Sequence, residues 1–215
     1  MSNLRCYSLL DKLCMNVDEA LRTMCGATQT AMREYPAREI SEVDLTAEQR
    51  NTSASLMRIN HAGEVCAQAL YHSQSFFSRN ESIRQHMQQA AKEEGDHLAW
   101  CQTRLIELGS HTSYLNPMWY AGSFAIGLAA GLMGDRWSLG FVAETENQVV
   151  KHLENHFTLL PENDKKSLKI LHQMHEDEAK HREDAIQSGA SVLPVFIKKL
   201  MSLTSKVMVK TAFWI

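Results

Sequence analysis

A chain of 215 residues with 44% hydrophobic and 22% charged side chains is long enough for one domain with a sizeable core, and its composition excludes a disordered or low-complexity protein. The net charge of −3 leaves no overall basic field, so nucleic acid is not expected as a partner. The five cysteines, Cys6, Cys14, Cys25, Cys66 and Cys101, form no C-x-x-C pair and suit a reducing compartment better than a disulfide framework; they read as small buried apolar residues.

Four prolines, ten glycines and no sustained strand-like alternation predict an all-α chain. The amino terminus carries Asp11, Asp18 and Glu19 within its apolar stretch, so it is not a secretory signal and the protein is expected to face the cytoplasm. A first amphipathic helix is predicted over Leu9 to Cys25, stopped by Gly26 and followed by a linker containing Pro36. Thr46 and Gln49 form a capping-box pattern that starts a second helix reaching about Ser78. Asn80 can cap a third that ends near Gly109, and Asn116 followed by Pro117 starts a fourth reaching about Leu160. Pro161 opens a fifth, which stops at Gly189, and the last begins near Pro194. The expected division is an N-terminal helix and linker (1–45), a central bundle (46–190) and a basic amphipathic C-terminal helix (191–215).

The chemistry lies in glutamates on the wrong faces. In "RINHAGEVCAQALYHSQSFF", Glu64 shares a helical stripe with Met57, His61, Ala67 and Tyr71. Glu146 is flanked by Leu139, Val142, Ala143, Val149, Val150 and Leu153, Glu94 by Met87, Ala90, Ala91, Leu98 and Cys101, and Glu178 by Leu171, Met174 and Ala185. By contrast, Glu154 with Lys151 and Glu107 with Arg104 read as solvated faces. A carboxylate on an apolar stripe must meet a positive charge or stay protonated. "EEGDH" and "DEAKH" supply the clue, because Glu94 with His97 and Glu178 with His181 are three residues apart and can reach one ion from one helix face.

The pattern repeats: a lone Glu64 precedes the Glu94 and His97 pair by 30 residues, and a lone Glu146 precedes the Glu178 and His181 pair by 32. Two similar helix pairs related by a pseudo-twofold would gather four carboxylates and two imidazoles, whose negative charges balance two divalent ions. Oxygen and imidazole donors without thiolate suit iron or manganese rather than a structural zinc. His61, His152, His156, His172 and His175 read as surface or supporting residues rather than ligands. Glu93 and Asp177, one step round the helix from the paired glutamates, are expected to accept from the metal-binding imidazole of the opposite helix.

"RINHAGE" (58–64), "EGDH" (94–97), Glu146, "EAKH" (178–181), the apolar segment before Glu146 and the "LDKL…DEALRT" start together resemble the demethoxyubiquinone hydroxylases, over nearly the whole chain. The resemblance implies a ferritin-like four-helix bundle in which Glu64, Glu94, His97, Glu146, Glu178 and His181 bind two irons per subunit, Glu94 and Glu178 bridging, with Tyr71 lining the pocket. It implies an O2-dependent hydroxylation of a polyprenyl quinol ring in ubiquinone biosynthesis, with two ferrous ions each giving an electron to dioxygen. Asn147 stands where some relatives have a second acid, which leaves the six-ligand pattern intact.

A polyprenyl substrate implies contact with the bilayer, at the cytoplasmic face of the bacterial cell membrane. Residues 117–134, "PMWYAGSFAIGLAAGLMG", carry no charge and are expected to rest against lipid and line the quinol entrance, continuing straight into the helix of Glu146. The tail after Asp184 has no acid and sets Lys198, Lys199, Lys206, Lys210 and Trp214 beside an apolar face, the pattern of a peripheral interfacial helix on anionic lipid. No nucleotide-binding glycine loop is evident, so electrons from NADH would arrive without a Rossmann domain or through a reductase, and other ubiquinone-biosynthesis proteins are further candidate partners. A ferritin-type iron-binding protein and another di-iron quinol oxidase or peroxidase are the alternative readings.

Overall fold

The computed structural model describes residues 8–25 and 31–215. Every regular element in them is a helix: α1 (Leu9–Cys25), α2 (Ala47–Phe77), α3 (Glu81–Glu107), α4 (Asn116–Leu132), α5 (Asp135–Leu159), α6 (Lys165–Gln187) and α7 (Val195–Ala212). Gly26 lies outside the described residues.

The helix starts follow local chemistry. The Thr46 hydroxyl accepts the Gln49 N–H and the Gln49 side chain accepts the Thr46 N–H, closing the capping box of α2. The Asn80 side chain accepts from Ser82 and Ile83 at the head of α3. Two expected starts are corrected. Pro161 only opens a turn in which its carbonyl accepts the Asp164 N–H, and Asp164 caps α6 by accepting from Ser167. Asn116 is already the first residue of α4, and Leu115 precedes it without a side-chain cap.

The single helix expected from Asn116 to Leu160 is two. Gly134, at φ +101°, ends the run of α4 and heads α5. That backbone region is open to glycine and strained for other residues. The apolar pattern continues across the break, so periodicity alone did not reveal it.

Helices α2 and α3 pair on one side, α5 and α6 on the other, and α3 against α6 closes a four-helix bundle. Helix α4 runs along α2, α7 lies against α2 and α5, and α1 touches α4 and α2. Close approach of α4 is permitted by small residues. A Cβ on Gly127 would collide with the Ser73 hydroxyl and stand 2.9 Å from the Leu70 carbonyl oxygen, and one on Gly131 would stand 3.1 Å from Phe77 Cβ. Among the described residues, no helix is long and apolar enough to cross a membrane.

The bundle interior is layered. Leu56, Met57, Trp100, Leu105, Leu153, Ile170, Leu171 and Met174 form an apolar cluster at one end, and Tyr71, Met87, Leu139, Val142 and Ala185 form another at the opposite end. The predicted ligands fall between them. Glu64 stands 13 residues before the end of α2 and Glu94 stands 13 after the start of α3. Glu146 and Glu178 repeat those offsets in α5 and α6.

Residues 31–45 strap the seam between α3 and α6. Arg104, expected on a solvated face, is wholly buried beneath this strap; its guanidinium donates to Glu42, Glu107, Asp164 and Ser167. The Tyr35 hydroxyl adds a bond to Glu107. Such a charge is tolerable in a core only because each donor has an acceptor. Of the cysteines, Cys101 is buried as expected, Cys66 is half-buried, and Cys14 is exposed. Cys6 and the Cys25 side chain lie outside the described residues.

Candidate metal centre

Four helices each bring one glutamate to the middle layer, and all four side chains are buried: Glu64 from α2, Glu94 from α3, Glu146 from α5 and Glu178 from α6. His97 and His181, one turn beyond Glu94 and Glu178, are equally buried. His97 Nδ1 lies 3.3 Å from Glu94 Oε2, 3.1 Å from Glu178 Oε1 and 3.7 Å from Glu64 Oε2. His181 Nδ1 lies 3.1 Å from Glu94 Oε1 and 3.6 Å from Glu178 Oε2. Glu94 and Glu178 therefore each turn one oxygen to either imidazole. One donor atom from each of Glu64, Glu94, His97 and Glu178 falls within 4.8 Å of the others. Glu146 adjoins Glu178, and its Oε1 accepts the Tyr71 hydroxyl at 2.7 Å.

Behind each imidazole stands an acid, and the two arrangements match. His97 Nε2 donates to Asp177 on α6, and His181 Nε2 donates to Glu93 on α3, both at 2.8 Å. Gln173 donates to Asp177, and Gln89, at the same offset, donates to Glu93. A carboxylate only accepts, so each Nε2 carries a hydrogen and each Nδ1 is left to face the centre.

The charges divide by environment. Burial, reinforced by Glu94, raises Glu64 well above the usual carboxylate range; burial, reinforced by Glu178 and Glu94, does the same to Glu146. Glu94 and Glu178 are also buried, but the imidazoles beside them outweigh that and hold both below it. Burial works against charged histidine, yet the surrounding carboxylates raise His97 and push His181 up to about 12. Asp177, too, is held well below the usual range, its bonds from His97 and Arg33 overcoming burial.

The donor set fits divalent metal cations. Oxygen and imidazole nitrogen are present without thiolate. Glu64 Oε2, Glu94 Oε1, Glu146 Oε2, both Glu178 oxygens and His181 Nδ1 are buried without an aligned hydrogen-bond partner. Buried polar atoms in such number call for a ligand.

The weaker histidines stay away from this cluster, although not all are at the surface. His61 is fully buried, 3.5 Å from the Asn116 amide, and His156 is buried against His152 with ring centroids 3.9 Å apart. His172 stacks on Phe157, and His175 reaches Glu154 at 3.4 Å. Sequence reasoning missed Arg33, which bonds Asp96 and Asp177 from the strap. Its partners are distant in sequence, and the linker has no periodicity to mark it.

An all-helical bundle with a buried layer of four glutamates and two histidines defines a carboxylate–histidine bundle able to hold metal ions at its core. The sequence model of the family described as ubiquinone biosynthesis protein COQ7 matches residues 51–212, and the chain belongs to that family. It is 54% identical, over 98% of its length and 99% of the relative's, to a 3-demethoxyubiquinol 3-hydroxylase of Nitrosococcus oceani. Relatives of the same name from Polynucleobacter asymbioticus and Acinetobacter baumannii are 52% and 50% identical, over 96% and 99% of this chain and 99% and 100% of theirs.

Proposed function

We propose that this chain is a di-iron monooxygenase that hydroxylates the ring of a polyprenyl demethoxyubiquinol with dioxygen in ubiquinone biosynthesis. The observation that carries the reading is the buried layer of four glutamates and two histidines, found in a chain that shares half its residues, end to end, with 3-demethoxyubiquinol 3-hydroxylases. Glu64, Glu94, His97, Glu146, Glu178 and His181 are the residues that would hold two irons, with Glu94 and Glu178 facing both imidazoles. Ferrous iron, if bound there, would supply electrons to dioxygen, and the surrounding carboxylates would offset its change of charge.

The protein's own groups do the rest. Tyr71 fixes one oxygen of Glu146 and leaves the other free. A crevice between α2 and α5, lined by Leu70, Tyr71, Gln74, Val142 and Thr145, borders Glu146; it is too tight for a water molecule as it stands and would have to widen to admit the quinol ring. Leu70 and Val142 in its walls would help to keep water from the reacting carbon. One oxygen atom enters the ring C–H bond and the other leaves as water, which requires two electrons and two protons from an external donor, NADH or a reductase.

The lipid tail of the substrate is served from the cytoplasmic face of the membrane by α4 and α7. Val195, Phe196, Leu200, Leu203 and Val207 are exposed along α7, with Lys199, Lys206 and Lys210 exposed beside them. Lys198 is the exception in the basic set, because it bonds Glu144 on α5 and anchors the helix to the bundle.

The test is mass spectrometry of the quinone after iron-loaded protein meets demethoxyubiquinone, reductant and labelled dioxygen. A product heavier by one labelled oxygen, lost in E146A, is expected. Iron oxidation with an unchanged quinone would overturn the hydroxylase reading in favour of iron binding alone.

A further inference from the structure

The two imidazoles of the centre are backed by matching chains of hydrogen bonds, an aspartate standing on one side where a glutamate stands on the other. Gln173, Asp177 and His97 form a chain of hydrogen bonds on one side, and Gln89, Glu93 and His181 form its counterpart on the other. Among the described residues, only the first is joined by an arginine from outside the bundle. Arg33 Nη2 donates to Asp177 Oδ2 at 2.6 Å, the oxygen that also accepts from His97, and Nε donates to Asp96 Oδ2 at 3.1 Å. Asp96 Oδ1 in turn accepts the Met32 N–H at 2.6 Å, and the guanidinium lies 4.6 Å from the centroid of the Trp100 ring. The counterpart acid, Glu93, feels the charge of Lys180 and borders a groove of about 110 Å³ that His86, Gln89 and Asp184 share.

We propose that Arg33 is a positioning residue that makes the two metal positions unequal, holding the His97 position tighter than the His181 position. Arg33 lies in the N-terminal strap, ahead of residues 51–212, the part that the family's sequence model matches. Its planar fork spans Asp96 and Asp177 and fixes the Asp177 carboxylate in the plane that His97 needs. Asp177 then keeps the hydrogen on His97 Nε2 and aims Nδ1 at Glu94 and Glu178. The guanidinium charge does not repel the neighbouring cation, because Asp96 and Asp177 neutralise it at contact distance.

The inference rests on the two-metal reading of the centre, and manganese titration separates the two. Calorimetric titration of the intact protein with Mn2+ is expected to show two ions per chain, bound in two steps of different affinity. In R33Q the tighter step weakens roughly tenfold, the scale of losing support behind a metal-binding imidazole, and the weaker step stays. R33K, which keeps the charge and loses the fork, recovers part of the loss. In D177N, adding R33Q changes nothing further, whereas in E93Q it has its full effect. Wild-type protein that binds fewer than two ions overturns the reading of the centre and the inference with it. Two wild-type ions with R33Q weakening both steps alike, or lowering the unfolding temperature while leaving both steps intact, overturns the inference alone.

Discussion

Each buried acid in the middle layer meets its desolvation in one of two ways. Glu94 and Glu178 stand between two imidazoles and stay ionised, whereas Glu64 and Glu146 have fewer cations beside them and are driven toward the protonated acid. His97 and His181 hold protons above the ordinary imidazole range. A divalent cation must displace those protons, so its uptake releases hydrogen ions and its affinity rises with pH. At neutral pH at least two protons per chain should appear, one from each imidazolium, with more from Glu64 and Glu146. Titration in two buffers of different ionisation enthalpy measures this; identical heats in both would contradict the charge assignment. These residues were legible in the sequence because a glutamate on an apolar stripe has few explanations and the Glu-x-x-His spacing places both donors on one face. Glu93 and Asp177 were legible for another reason: a metal-binding imidazole needs an acceptor for its second N–H, and an acid one step round the helix can reach the opposite histidine. Arg104 was not: its neighbour Glu107 suggested a surface pair, and the acids that make burial tolerable, Glu42 and Asp164, come from other segments.

At the scale of the helices, the starts that were legible are those whose capping bonds close locally. Thr46 with Gln49, and Asn80, announce α2 and α3 through bonds that close within three residues. The stop between α4 and α5 is a tertiary matter, because a glycine can sit inside a helix and only the need to lay α4 on α2 and α5 on α6 turns Gly134 into a corner. The glycines of α4 then divide by what surrounds them. G127A should force α4 off α2, since its Cβ would meet Ser73 and the Leu70 backbone, and should cost about 1–3 kcal/mol. G122A meets nothing within 4 Å and should instead stabilise by up to about 1 kcal/mol through helix propensity. Denaturant unfolding of the two variants reads both signs; equal effects would mean that α4 does not lean on α2 as the structure has it.

For the whole molecule, the unequal placement of charge along the chain has a spatial counterpart in α7, where exposed apolar residues and lysines share one exposed helix. The proposed membrane docking predicts that the intact protein sediments with vesicles containing anionic lipid, and that charge reversal at Lys199, Lys206 and Lys210 together weakens this by at least tenfold. A neutral phosphatidylcholine vesicle should bind less, and salt should weaken the anionic case. Binding indifferent to lipid charge and to the lysines would remove α7 from the docking surface. Composition revealed that the tail was basic and amphipathic, but not that Lys198 is engaged by Glu144, a partner on α5.

The equal offsets of the four glutamates carry a consequence for how such a chain can change in length. Measured from the turns, every arm of the bundle is 13 residues, so the two spacings of 30 and 32 residues differ only in the connections between helices. Lengthening a connection leaves the middle layer untouched. One residue added inside an arm would instead advance a glutamate by about 1.5 Å and swing it by about 100° around its helix, away from its three counterparts. Insertions and deletions are thus tolerated at the tips and forbidden between tip and centre, and the arms serve as a ruler whose unit is the helical rise.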